Sequence, residues 1–348
     1  MNGDGLRSVN PPTPDPVATA GTHPVATPGT HPAAIPTPHP PAIPDRIASL
    51  IPAATEIVCA LGLGDRLVLR SHECDEPPGV ERIPFATEPK YEPDGTSYAI
   101  DERVRALVQE GLSVYRVDAD RLREACPEVI VTQHQCEVCA VSAREVEAAA
   151  CAVLDPPPRI ISLDPGGLGD VLADIQRVAD GLGVPERGRD LTASLRRRMD
   201  EVQARVEGRP RPRTITIEWL DPLMVAGNWI PELVDMAGGE NLLGRAGEHS
   251  PFVSWAEIRA TEPEAIVVIP CGFTIARTRR EIGLLTGLPG WAELPAVKKG
   301  VVAIADGHHF FNRPGPRIVE SLEILAEILH PKVAAWGHRG VGWDALEV

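Results

Sequence analysis

The chain has 348 residues, 43% of them hydrophobic, and a formal net charge of −15 at pH 7. That length and apolar content allow about two domains with sizeable cores, and the acidic balance speaks against a nucleic-acid-binding surface. No apolar run approaches the ~20 residues of a membrane-spanning helix.

Residues 1–45 carry a ragged repeat, "GTHPVATP" then "GTHPAAIP", with His23, His31 and His39 in step. Twelve of the 36 prolines fall between residues 1 and 44. Such a segment has no means of building a helix, a ladder or a core, and reads as an extended low-complexity tail. From Arg46 the texture changes. "RIASLIP" predicts a short buried strand, and "AATEIVCALGL" a helix that starts near Thr55 and stops at Gly62. "RLVLRS" is a second strand. After a loop-rich insert come "LSVYRV", a helix at "DADRLREAC", the strand "EVIVTQ" and then "PRIISLD". These strands are continuous β-branched runs alternating with helices, the pattern of a parallel sheet covered on both faces.

Next follow some forty residues of helical apolar spacing, Leu172, Ile175, Val178, Ala179 and Leu182, then Leu191, Leu195, Met199, Val202 and Val206, with a break near Gly181–Pro185. A second α/β series closes the chain: "RTITIEW", "PELVDMAG", "SWAEIRA", "AIVVIPC", "VVAIAD" and the helix "GPRIVESLEILAEIL". The expected fold class is α/β, two Rossmann-like lobes with mainly parallel sheets joined by a long rigid helix. The expected divisions are a tail at 1–45, a first lobe at 46–165, a helical connection at 166–210 and a second lobe at 211–348.

Several segments fit one known family in order and spacing: "RIASLIPAATEIVCALGLGDRLV" (46–68), "SHECDEPP" (71–78), "PEVIV" (127–131), "AGGENLLG" (237–244), "PEAIVVI" (263–269) and "RPGPRIVESLEIL" (313–325). Together they resemble the substrate-binding proteins of ABC importers that take cobalamin (vitamin B12) or iron siderophores. The resemblance implies a small-molecule ligand, cobalamin or another corrinoid, held without catalysis in the cleft between lobes. Parallel sheets present their loops and helix N-termini on that same side.

The candidate ligand-binding residues lie where strands end. Pro52 and Thr55 open the first helix, with Thr55 read as its N-cap. His72 and Cys74 follow the second strand, and Gln133 ends "EVIVTQ". Glu218 and Trp219 end "TITIEW", with Trp229 ten residues on. Only 4% of residues are aromatic, and an indole face suits stacking on a flat ring. Cys271 and Phe273 flank Gly272 in "IPCGF", where glycine permits close backbone approach. "DGHHFFNRPGPR" offers His308, His309, Phe310 and Arg313, while Arg313 and Arg317 also suit bracing the loop through carboxylates.

The segment "VTQHQCEVCAVS" stays open between three readings. His72, His134, Cys136 and Cys139 together would make a metal site, of a metal the sequence does not name. Cys136 and Cys139 at a helix start would make a redox pair. Alternatively Cys136 lines the ligand cleft. The corresponding alternatives for the whole protein are a metal, haem or siderophore binder and a thiol-dependent enzyme.

In importers of the resembled type each lobe offers an acid to the permease, positions that fall here on Asp120 and Glu257. The start "MNGDGLRSVNPPTPDP" has neither an apolar secretory core nor a lipoprotein box. With an odd count of seven cysteines, the expectation is a cytoplasmic relative, and an ABC permease is a partner only if the chain is exported.

Overall fold

In the computed structural model, which describes residues 41–110, 114–133 and 143–347, the chain builds its sheets from short strands buried on both faces. β1 (Ile47–Ser49) runs directly into α1 (Pro52–Ala60), and Pro52 opens that helix because its missing N–H leaves nothing unsatisfied there. The N-cap is therefore Ile51 in extended conformation, and Thr55, expected to cap, sits inside the first turn.

β2 (Leu67–Arg70) lies parallel to β1. The insert forms β3 (Thr87–Pro89) and α2 (Ser97–Gln109), the helix capped by the Thr96 side chain. β4 (Tyr115–Val117) then returns antiparallel to β3. The strand expected at "LSVYRV" thus exists but belongs to a separate ribbon rather than to the main sheet. α3 (Ala119–Ala125), β5 (Val129–Gln133), α4 (Ala143–Val153) and β6 (Arg159–Leu163) complete this lobe. Its sheet has the order β2-β1-β5-β6, with every pairing parallel.

The connection is two helices. α5 (Leu168–Gly181) ends before Gly183, whose φ of +78° suits a helix stop, and Pro185 starts α6 (Pro185–Val206). At 1.5 Å per residue, α6 spans roughly 33 Å. It buries Leu195, Met199, Val202 and Val206 at the expected helical spacing.

The second lobe comprises β7 (Arg213–Leu220), β8 (Leu223–Val225), α7 (Ile230–Met236), β9 (Glu240–Asn241), α8 (Trp255–Ala260) and β10 (Ala265–Val268). α9 (Ile275–Glu281), α10 (Gly283–Thr286), α11 (Pro295–Lys299), β11 (Val302–Ala305), α12 (Ile318–Leu329) and β12 (Trp343–Ala345) follow. The sheet order is β12-β11-β10-β7-β8, with β9 also beside β7. β7, β10 and β11 run parallel, whereas the edge strands β8 and β12 are antiparallel.

Strand alternation assigns residues to cores. Val129 and Val131 join the cluster that also holds α1, α5, α6, α7 and α12, while Ile130 faces the opposite side of the first sheet. In the second sheet Ala265 and Val267 join that same cluster, and Ile266 and Val268 face outward against α8, α10 and α11. One continuous apolar cluster therefore runs through both lobes along the connecting helices. α12 is buried almost along its whole length, polar residues included. Glu323 accepts from Arg198 of α6 (2.9 Å) and pairs with His338 (2.8 Å), and Glu327 accepts from Trp343 Nε1 of β12 (2.8 Å).

Candidate ligand cleft between the lobes

The segments after β1 and β2 meet the loop after β11 across the two lobes, and the ends of β7 and β10 lie beside that loop in the second lobe. The turn after β11 is shaped by a glycine. A Cβ on Gly307 would lie 2.1 Å from the Pro270 carbonyl oxygen, so only glycine lets this turn pack against the end of β10. Gly272 has a different reason: its φ of +73° is left-handed, and nothing lies within 4 Å of where a Cβ would be. Close approach, expected at Gly272, belongs to Gly307.

In the second lobe, Trp219 near the end of β7 lies 5.1 Å from the Phe273 ring, the planes tilted by 52°. The indole Nε1 is buried and has no hydrogen-bond partner among the described residues. Next to it, Glu218 accepts a hydrogen bond from Ser250 Oγ (2.9 Å), and burial pushes its carboxyl up to about 7. Arg277 stands over the other aromatic, 4.5 Å from the Phe273 centroid. This wall combines aromatic surface with an unpaired donor and a carboxyl near its titration point.

Between the lobes lies a charged bridge. Asp75, after β2, accepts from Arg313 through Oδ1 (2.7 Å) and meets His308 Nε2 through Oδ2 (2.7 Å). His309 Nε2 approaches the same Oδ2 at 3.4 Å, and its Nδ1 donates to Asp306 Oδ2 (3.2 Å). Asp306 Oδ1 also accepts the backbone N–H groups of His308 (2.9 Å) and His309 (2.8 Å), which fixes the turn. Burial alone would raise the Asp75 carboxyl, but hydrogen bonds from His308, His309 and Arg313 outweigh it and hold it far below the carboxylate range. The hydrogen bonds to Asp306 and Asp75 push His309 up to about 9. Arg313 also reaches Glu56 of α1 (3.3 Å), a carboxyl that burial, opposed by Arg313, pushes up to about 7. Arg317 approaches Glu76 at 3.7 Å. The carboxylate bracing expected of both arginines is what they do, and it runs from lobe to lobe.

The insert adds a second crossing. Ser97 N, at the start of α2, donates to Glu281 Oε2 of α9 (2.8 Å). Arg277 donates to the Gly95 carbonyl, and Arg105 of α2 lies 4.6 Å from the Phe252 ring centroid.

In the first lobe, Pro52 and Gln133 are buried at the ends of their elements. Thr55 Oγ1 is within hydrogen-bonding distance of Ser49 Oγ (2.7 Å) and Cys74 Sγ (3.0 Å). Cys74 is packed inside the lobe, where burial pushes its thiol up to about 12. His72 Nδ1 lies 2.8 Å from Thr87 Oγ1, and that hydroxyl donates to Ser71 Oγ (3.0 Å). Burial is the main cause that lowers the His72 pKa and favours the neutral imidazole.

The remaining candidate residues have the following surroundings. Trp229 is a core residue whose Nε1 donates to the Phe311 carbonyl (2.9 Å). Phe310 is buried with Arg317 over its ring at 4.4 Å, and Cys271 is exposed. Asp120 sits exposed in the first turn of α3 beside Arg123. Glu257 completes a capping box with Ser254 at α8, accepting from Ser254 N (2.7 Å). His134, Cys136 and Cys139, and with them the metal, redox and cleft-wall readings of that segment, lie outside the described residues. Asp75 and Asp306 were not singled out from sequence. The only signal was the density of carboxylates in "SHECDEPP" and the acid just before "GHH".

A family model described as "Periplasmic binding protein" matches residues 47–308. The chain belongs to that family. Periplasmic binding proteins are non-catalytic solute binders, so no reaction is assigned to the cleft. The chain is 24% identical over 286 residues to the vitamin B12-binding protein of Vibrio vulnificus, covering 81% of this chain and 89% of that relative. It is 22% identical over 287 residues to the vitamin B12-binding protein of Photorhabdus laumondii, covering 82% and 88% respectively. Among solved structures, the periplasmic vitamin B12 binding protein of Vibrio cholerae aligns with a TM-score of 0.59 at 20% identity, over 83% of this chain and 98% of its own. A periplasmic heme binding protein from Pseudomonas aeruginosa aligns with a TM-score of 0.61 at 20% identity, over 83% and 94%. These likenesses are of fold. The two-lobed α/β architecture and the family expected from the sequence are both borne out.

Proposed function

We propose that the chain binds cobalamin or a related corrinoid between its lobes. The observation that carries this reading is Trp219: an indole beside Phe273 whose buried N–H has no partner among the described residues. A buried donor left unsatisfied costs about 1–3 kcal/mol, and a turn of the indole that brings its N–H to a ligand oxygen would remove that cost. A corrinoid carries a broad, weakly polar ring system rimmed by amides. Its rim would accept from the indole and meet Glu218, which near neutral pH can donate as well as accept. The relatives named for vitamin B12 support the same choice.

The test is titration of the purified protein with hydroxocobalamin and cyanocobalamin, read in the visible corrin bands. Saturable binding is expected, weakened by Trp219→Ala about tenfold or more, or ~1.4 kcal/mol. No binding to any of several corrinoids would overturn the reading. One observation favours a second, a haem or siderophore complex: burial keeps His72, in the loop after β2, a neutral imidazole, the form that ligates iron. Haemin in place of the corrinoid, with His72→Ala as the variant, separates the two.

Retention in the cytoplasm belongs to the same proposal, on an odd count of seven cysteines suited to a reducing compartment. Cell fractionation tests it. Recovery outside the cytoplasm would instead make Asp120 and Glu257 the acids proposed to face a permease.

A further inference from the structure

The Asp75, His308 and His309 cluster has the donors, spacing and support of a metal site. One donor atom from each residue lies within 4.8 Å of the others. Both imidazoles bring Nε2 to the same oxygen of Asp75, at 2.7 and 3.4 Å. In a tetrahedral site with bonds of ~2.0 Å, neighbouring donors stand about 3.3 Å apart, so small side-chain adjustments would seat an ion among them.

Two further features separate this arrangement from a plain ion-pair latch. His309 already gives its Nδ1–H to Asp306 (3.2 Å), the carboxylate–histidine pairing that orients a metal-binding imidazole and fixes its tautomer. Arg313 occupies Oδ1 of Asp75 (2.7 Å), which leaves Oδ2 turned to the imidazoles. The guanidinium also lies 3.2 Å from His308 Nε2, an unfavourable neighbour for a cation. Once an ion displaces the proton that His309 shares with the carboxylates, Asp75 and Asp306 together outnumber that charge. All three donor side chains are partly exposed, at 39%, 27% and 31%, so an ion has a way in.

We propose that Asp75, His308 and His309 bind a divalent first-row transition metal of the Zn2+ or Co2+ class, and that this ion fastens the first lobe to the second. Two imidazoles and one carboxylate suit such borderline ions better than Mg2+ or Ca2+, which prefer all-oxygen shells. Three protein donors leave a position for water or for a donor atom of a cleft ligand. Asp306 is a positioning residue, acting through His309.

The experiment uses the full chain, stripped of metal by a chelator and titrated with Co2+ and then Zn2+ in the absence of any corrinoid. One Co2+ with visible ligand-field absorption is expected, displaced by Zn2+, together with a Zn2+-dependent rise in melting temperature. Asp75→Asn, His308→Ala and His309→Ala should each abolish both signals, and Asp306→Asn should weaken Zn2+ about 10–100-fold. A control carrying His23→Ala, His31→Ala, His39→Ala, Cys136→Ser and Cys139→Ser should keep them, because the proposed site takes no donor from those segments. Melting curves without metal identify any variant that fails to fold, in which case His309→Gln replaces it. Unchanged Co2+ spectra in the folded variants, or loss of the signal only in the control, would overturn the proposal. Since no corrinoid is present, this result and the corrinoid titration stand or fall independently.

Discussion

Glu218 illustrates what a single buried carboxyl does to this protein. In the unfolded chain it titrates near the ordinary value of 4.5, and in the fold burial pushes it up to about 7. The folded state therefore holds a proton that the unfolded state has already released. The associated stabilisation is complete below about pH 4.5 and is lost as pH rises through 7. Glu218→Gln removes this dependence. Between pH 5 and pH 8.5 the wild-type protein should lose on the order of 1–3 kcal/mol relative to the Gln variant in urea unfolding, and a constant difference across that range would contradict the assignment. At this scale the sequence was readable where a side chain is chemically unusual. Trp219, His308 and His309 stand out by type and by their place after strands. Asp75 and Asp306 do not, because an acid in a loop looks the same whether it faces water or another lobe.

Among the elements, α2 departs most from what its place in the chain implies. It belongs to the insert of the first lobe, yet Ser97, Gly95 and Arg105 bind Glu281, Arg277 and Phe252 of the second. Residues 86–111 read only as loop-rich, since the apolar positions of α2 are few and Tyr98 and Val108 remain exposed. The helix thus acts as a strap across the lobes. Glu281→Ala removes the acceptor at its N-terminus and should speed tryptic cleavage at Arg103 and Arg105 several-fold, while the urea midpoint changes little. Equal cleavage rates would mean that the Glu281 contact does not hold the strap. β12 was missed for a related reason: three residues, Trp343–Ala345, carry little pattern, and the edge of β11 is what makes them a strand.

Across the whole molecule, the lobes are joined by the apolar cluster along the connecting helices, by the α2 strap and by the ionic bridge centred on Arg313. That guanidinium is buried and serves Asp75 and Glu56 together. Arg313→Met should lower the unfolding free energy by about 3 kcal/mol, chiefly because Glu56 is left buried without a cation. Adding Glu56→Gln should recover part of that loss in the same urea assay, and full additivity of the two substitutions would contradict the pairing. The sequence by itself determined the α/β class, the two lobes, the helical connection and the family, because strand and helix periodicities are local and repeat over many residues. It also pointed to the loops after the parallel strands, since such strands end on one side of their sheet. Only the tertiary structure decided which side chains those loops share. Trp229 and Phe310 went into the core, Trp219 kept an unpaired N–H, and Asp75 met two histidines more than 230 positions away in the chain. Such pairings depend on how two lobes close on each other, and no local pattern encodes that distance.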